Sequence, residues 1–240
     1  MSVKSVVHVK SLPTSWVGYL AVVAALLVTH LALSLLPVDH VMGAQAALSS
    51  WPSVLVFALL GLAGTWLAGR TGFPGMWEEG AMGRRLLPPV LIGALSGGGL
   101  AALVNWVVKL PGQIHVPFPA SLFFYTYGGI ESEILLRLLL LPLFVWLVSS
   151  LLLKGRFQER VFWIGAVLLS LLEPLMQLGG MQQMGVLGTT PLGSVALLLG
   201  AIYGINLLSA AQYRRSGFLA PLAVRLFLYL VWHVIVGGMA

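Results

Sequence analysis

Residues Ile130–Leu153 read IESEILLRLLLLPLFVWLVSSLLL, a run in which three charged side chains, Glu131, Glu133 and Arg137, open an otherwise apolar stretch. The stretch is long enough to span a bilayer, because a hydrocarbon core about 30 Å thick takes about 20 apolar residues at about 1.5 Å per residue. Similar runs recur on both sides of it. Ser15–Leu36, Trp51–Gly69, Pro89–Val108, Phe162–Leu178, Leu192–Ala211 and Phe218–Gly238 each satisfy the same criterion. The composition agrees: of 240 residues, 59% are apolar and 8% charged, with a mean hydropathy of +0.98. Soluble domains carry about 25% charged residues. The reading is an all-α, polytopic membrane helix bundle of about seven transmembrane helices, one integral membrane domain over residues 1–240.

The first run is too long for a signal-peptide core and lacks a small-residue cleavage site, so it counts as a span. Pro37, Pro52, Pro89, Pro119 and Pro191 fall at predicted span edges, where a missing N–H is tolerated. Trp16, Trp51, Trp106, Trp163 and Trp232 fall near span ends, as an interfacial belt would place them.

Basic residues set the orientation. With seven crossings and a cytoplasmic N-terminus, the cytoplasmic segments hold Lys4, Lys10, Arg70, Arg84, Arg85, Lys154, Arg156, Arg160, Arg214 and Arg215, against Lys109 alone on the other side. Cytoplasmic loops are enriched in Lys and Arg. The orientation takes an inner or plasma membrane as its setting and puts the C-terminus on the opposite side. Pro119–Leu153 is too long for one crossing, about 52 Å as a helix. Gly128-Gly129 marks the expected break, with Ser121–Tyr127 a short re-entrant or interfacial segment ahead of the helix that begins near Glu131.

Several classes drop out. With no cysteine, disulfides, thiolate metal sites and cysteine catalysis are excluded. The net charge of +6 is spread over short loops, so nucleic acid is not an expected partner. Glu78-Glu79 beside Arg84 and Arg85 reads as a surface ion-pair cluster. Gly97-Gly98-Gly99 lacks the strand–turn–helix context of a phosphate loop and reads as a packing feature.

What remains is the polar content of the spans. Glu131, Glu133, Arg137, Glu173 and Arg225 lie inside them, and each costs at least about 2.5–3.5 kcal/mol at mid-bilayer. Glu133 and Arg137 have the favourable four-residue spacing. Ser170, Glu173 and Gln177 share one helix face; Arg225, Tyr229 and His233 share another. The three stripes are expected to converge, either as structural ion pairs or as a site. His30, alone in the first span, reads as structural.

The stretch from Gly129 through Glu131-Ser132-Glu133 to Arg137 resembles the Glu-Glu-x-x-x-Arg motif of the CPBP (CAAX protease and bacteriocin-processing, or Abi) family of intramembrane proteases. The run from Ala166 to Gln177 is similar to its second motif, an aliphatic run ending in Phe-x-x-x-His. Tyr213-Arg214-Arg215-Ser216-Gly217-Phe218-Leu219-Ala220-Pro221, leading to Arg225, resembles its closing helix pair, which leads into His-x-x-x-Asn. The resemblance covers residues 120–240. It implies a site in which the first glutamate activates water, assisted by two histidines and an asparagine.

The sequence departs from that pattern where the chemistry lies. Ser132 stands in place of the first glutamate, while Glu133 and Arg137 are kept. Gln177 and Arg225 replace the histidines, Glu173 the aromatic and Tyr229 the asparagine. Arg is a permanent cation, unable to ligate a metal or act as a base. The resemblance therefore implies a catalytically degenerate member, with Arg225 in the vacated place, Glu173 or Glu131 its counter-ion and Arg137 held by Glu133. The spans would carry −3 from the glutamates and +2 from the arginines, close to neutral once one glutamate is protonated. Such a protein is expected to serve as a scaffold, an immunity or chaperone-like protein, or a subunit of a membrane complex. Its partners would be lipids and other membrane subunits met through lipid-facing helices. Gly93, Ser96 and Gly97, with Gly61 and Gly64, give small-residue faces for close packing within or between chains. No cofactor or metal is expected. One alternative is an active intramembrane endopeptidase using Glu131 and Glu133 with His233 as a displaced histidine; another is a transporter or channel. His30 and His233 carry the donor a pigment or haem would need, which leaves such a role open, though no spacing points to it.

Overall fold

The computed structural model describes residues 12–36, 50–76, 82–108, 116–183 and 185–239, with side chains at 12–15 and 82–85 left aside. Lys4, Lys10, Lys109, Pro37, Glu78 and Glu79, and the side chains of Arg84 and Arg85, lie outside the described residues. Within them the fold is helical, with no strand. Helices α1 (Leu12–Ser34), α2 (Trp51–Arg70) and α3 (Met82–Leu103, continued by wider π-helical turns over Val104–Val108) come first. Next are α4 (Ala120–Glu133, running on to Leu152), α5 (Gln158–Leu169) and α6 (Leu172–Gln183). Last come α7 (Leu192–Ser216) and α8 (Leu219–Tyr229, extended by π-helical turns over Leu230–Val236). Seven helical stretches are long and apolar enough to cross a membrane, α5 and α6 together making one of them.

Two expectations about continuity are corrected. Gly128-Gly129 does not break the chain: Ala120–Leu152 is one helical run of 33 residues, and Ser121–Tyr127 is its first part rather than a separate re-entrant piece. The glycines cost about 1 kcal/mol each against alanine, but Gly129 is tightly packed. A Cβ there would stand 3.2 Å from Arg225 Cγ and 3.4 Å from Tyr229 Cδ2, so its absence lets α8 lie against α4. The fifth span, by contrast, is broken. Helix α5 ends at Leu169 and α6 starts at Leu172. Pro174 explains it, since its ring lacks an N–H and crowds the carbonyl four residues back, that of Ser170. Ser170 is buried within the break.

Lesser corrections follow the same physics. Pro89 lies inside α3, as does Pro88; the apolar span opens at Leu86, so both prolines occupy its first turn. Trp51, Trp106 and Trp163 are exposed as a belt requires, but Trp232 is buried in the core.

Glycine faces bring the helices together. A Cβ on Gly93 would fall on the carbonyl oxygen of Val224, and one on Gly97 would lie 2.5 Å from that of Leu228, so α3 and α8 touch backbone to backbone. Gly64 meets the Leu138 carbonyl of α4 in the same way, and Gly61 the ring of Tyr19. These small faces are used within the chain. In lipid, where burying an apolar side chain gains little, such van der Waals contact is a main source of helix association.

The loops after α2, α4 and α7 meet at one end of the bundle. Gln158 Nε2 donates to the Thr71 carbonyl, Arg214 pairs with Glu159 at 2.7 Å, and the Phe218 and Leu219 amides donate to the Gly75 and Met76 carbonyls at 3.2 and 3.1 Å. Arg70, Lys154, Arg156, Arg160, Arg214 and Arg215 therefore share one end. The packed interior falls into two clusters. One lies among α1, α2, α4 and α5 and takes in the end of α7 and the start of α8, the other among α3, α6, α7 and α8.

Candidate functional site

Between those clusters lies a polar seam. Arg225 enters from α8, Glu133 and Arg137 from α4, Glu173 from the start of α6 and Asn206 from α7. Glu133 and Asn206 are 0% exposed and Arg225 2%. Each position has a local cause. Glu133 and Arg137 lie one turn apart on α4, and the break before Pro174 sets Glu173 in the first turn of α6.

Arg225 is the hub. Its Nε donates to Glu133 Oε1 at 3.0 Å, and its two Nη atoms donate to the two oxygens of Glu173, each at 2.7 Å. Nη2 also donates to Asn206 Oδ1 at 3.2 Å. The paired fork on one carboxylate is the strong, planar arrangement that arginine favours. Arg137 donates through Nη2 to the Asn206 side-chain and backbone oxygens at 2.6 and 2.7 Å, with its Nε 3.8 Å from Glu133 Oε2. Asn206 Nδ2 donates to Glu173 Oε2 at 2.8 Å and to the Ile202 carbonyl at 2.9 Å.

The orientation of the Asn206 amide follows from its neighbours. Guanidinium groups only donate, and carboxylates and carbonyls only accept. The amide oxygen must then face the two arginines and the amide nitrogen the glutamate. Two carboxylates and two guanidiniums close a formally neutral network, and its attraction and hydrogen bonds offset the several kcal/mol of desolvation each ion incurs.

The structure thus brings Glu133, Arg137, Glu173 and Arg225 together and adds Asn206, which the sequence reading missed. Asn206 is the one side-chain amide between Leu192 and Ala211, a signal outweighed by the charged residues. Arg225 is countered by Glu173 and Glu133; Glu131 is not among its partners. Gln177 and Tyr229 join Glu173, Asn206, Arg225 and His233 in lining a cavity of about 30 Å³ beside the seam, room for about two waters. Tyr229 lies under the Arg225 guanidinium, 5.5 Å from carbon to ring centre. His233 stacks on Tyr125 with centroids 4.0 Å apart and on its neighbour Trp232 at 4.2 Å. Among the described residues, no three His, Cys, Asp or Glu side chains cluster as a metal site requires.

Chemically, every charge at this site already has its partner. No protein-family model matches the chain, and no curated protein or solved structure does.

Proposed function

We propose that this chain is a catalytically degenerate relative of the CPBP intramembrane proteases, working as a membrane scaffold, an immunity or chaperone-like protein, or a subunit of a membrane complex. The observation that carries this reading is the closed fork of Arg225. Where the resemblance calls for an imidazole, a permanent cation stands 2% exposed and is bound by Glu133, Glu173 and Asn206. A base in this position would have to exchange a proton near neutral pH; a guanidinium holds its own. The adjoining cavity, about 30 Å³, has room for about two waters. Beyond the loops, the outward surface is apolar helix, including Leu20, Leu59, Leu95 and Met176, so partners are other membrane proteins met in the plane of the bilayer. In an inner or plasma membrane, the positive-inside rule turns the basic loop end to the cytoplasm, with the N-terminus inside.

The test is proteolysis by the purified full chain in lipid on membrane-anchored candidate peptides. No cleavage is expected. Cleavage abolished by Glu131→Gln or Glu133→Gln overturns the reading in favour of an endopeptidase.

A further inference from the structure

The outward face of α2 carries its side chains in a column. Leu55, Leu59, Leu62 and Trp66 are all exposed, and steps of three or four residues set them on one side of the helix. Arg70, one turn further on, ends both the column and the helix. From Leu55 to Trp66 the helix rises about 16 Å, about half of a hydrocarbon core about 30 Å thick. The apolar part of the column therefore matches the depth of one leaflet. Trp66 and Arg70 stand where that leaflet meets its headgroups.

The head of the column is held in place. The Arg70 guanidinium carbon lies 4.2 Å from the centre of the Trp66 ring, a cation resting on an aromatic face. Trp66 in turn lies against Trp146 of α4, with ring centres 6.5 Å apart. Next to Arg70, the Thr71 carbonyl accepts from Gln158 Nε2, which draws the turn between α4 and α5 to the same end of α2. That turn is fixed by the Gly155 amide donating to the Ser149 carbonyl at 2.7 Å and by the Ser149 hydroxyl donating to the Arg156 carbonyl at 2.9 Å. It carries Lys154 and Arg156, both exposed.

Charge decides the class of ligand. Among the described residues, this end holds six basic side chains and one acid, Glu159, which Arg214 takes up at 2.7 Å. In the loop after α2, Glu78 and Glu79 are matched in number by Arg84 and Arg85. Among the described residues, Arg70 rests on an indole and not on a carboxylate. Orienting the chain asks only for basic residues in the loops. It does not ask for one of them to be laid on an exposed indole at the head of an apolar column.

We propose that Trp66 and Arg70, with Trp146 and Lys154, bind the headgroup of an anionic phospholipid, one acyl chain of which lies along Leu55, Leu59 and Leu62. Arg70 offers its planar fork to the phosphodiester, and Lys154 adds a second positive charge. The two indoles lie at the level of the glycerol esters, where amphipathic rings are favoured. An anionic headgroup is preferred to a zwitterionic one because it brings no cation to a place already in positive excess. The site rests on the membrane spans and not on the reading of the polar seam, so proteolysis by this chain would leave it standing.

Native mass spectrometry of the full chain in non-ionic detergent, titrated with phosphatidylglycerol or phosphatidylcholine, tests the site. Phosphatidylglycerol is expected to bind about fivefold more tightly or better. Arg70→Gln and Trp66→Leu should each remove most of that preference. Arg215→Gln takes the same charge from another exposed position at this end and should leave the preference in place. Excess inorganic phosphate should not displace the lipid. Equal binding of the two lipids by the wild-type chain overturns the proposal, whatever the variants do. A preference that survives Arg70→Gln or Trp66→Leu overturns it too. So does an equal loss in Arg215→Gln, the mark of diffuse attraction, or displacement by phosphate, the mark of a site for the free anion.

Discussion

The polar seam on one side, and His30 of α1 with Glu131 of α4 on the other, are buried in the same bundle, and they meet the cost of polarity in opposite ways. In the seam, charges are kept and matched, two acids to two guanidiniums with Asn206 threading between them. At His30 and Glu131, neither ring nitrogen nor Glu131 Oε1 has a hydrogen-bond partner among the described residues. Matched charges tie helices together strongly, and losing one partner strands the rest. Polar atoms without such partners contribute little cohesion.

Removing single members sharpens that contrast. Arg225→Leu is expected to have the largest effect, a loss of about 3–5 kcal/mol, because two buried carboxylates lose their shared cation. Reversible unfolding in mixed detergent micelles measures it. Asn206→Leu should cost about 2–3 kcal/mol in the same assay, since hydrogen bonds to charged groups contribute more than neutral ones. Gly97→Ala should cost about 1–3 kcal/mol by forcing α3 away from the Leu228 carbonyl. His30→Phe should change stability by less than about 1 kcal/mol and can raise it, because an unpaired buried polar ring gives way to an apolar one. If His30→Phe were as damaging as Arg225→Leu, the distinction between the two regions would collapse.

Much of this was legible in the sequence. Hydrophobic run length gave the crossings, and the cost of a charge in hydrocarbon singled out Glu133, Arg137, Glu173 and Arg225. The misses share a cause, which is that they depend on neighbours rather than on local pattern. Asn206 is uncharged, and its weight comes from the two guanidiniums and the carboxylate around it. Gly128-Gly129 resembles a helix break until α8 is placed against it. Trp232 has the composition and position of an interfacial anchor, and only the packing of α3, α7 and α8 encloses it. Glu131 and Glu133 look alike on paper; the direction each takes from α4 puts Glu133 in the seam and leaves Glu131 out of it. The break at Ser170 is the exception, missed although Pro174, four residues downstream, is a local signal for it.

The backbone bonds from Phe218 and Leu219 to Gly75 and Met76 impose an order on biogenesis. The two acceptor carbonyls are synthesised early, and the amides that cap them emerge more than half a chain length later. Until the final hairpin has been inserted, the turn after α2 is held by Gln158 at Thr71 but lacks its bonds at Gly75 and Met76. A ribosome that stops short of the last crossing would leave a chain correctly threaded yet open at that face, and quality-control proteases could recognise it there.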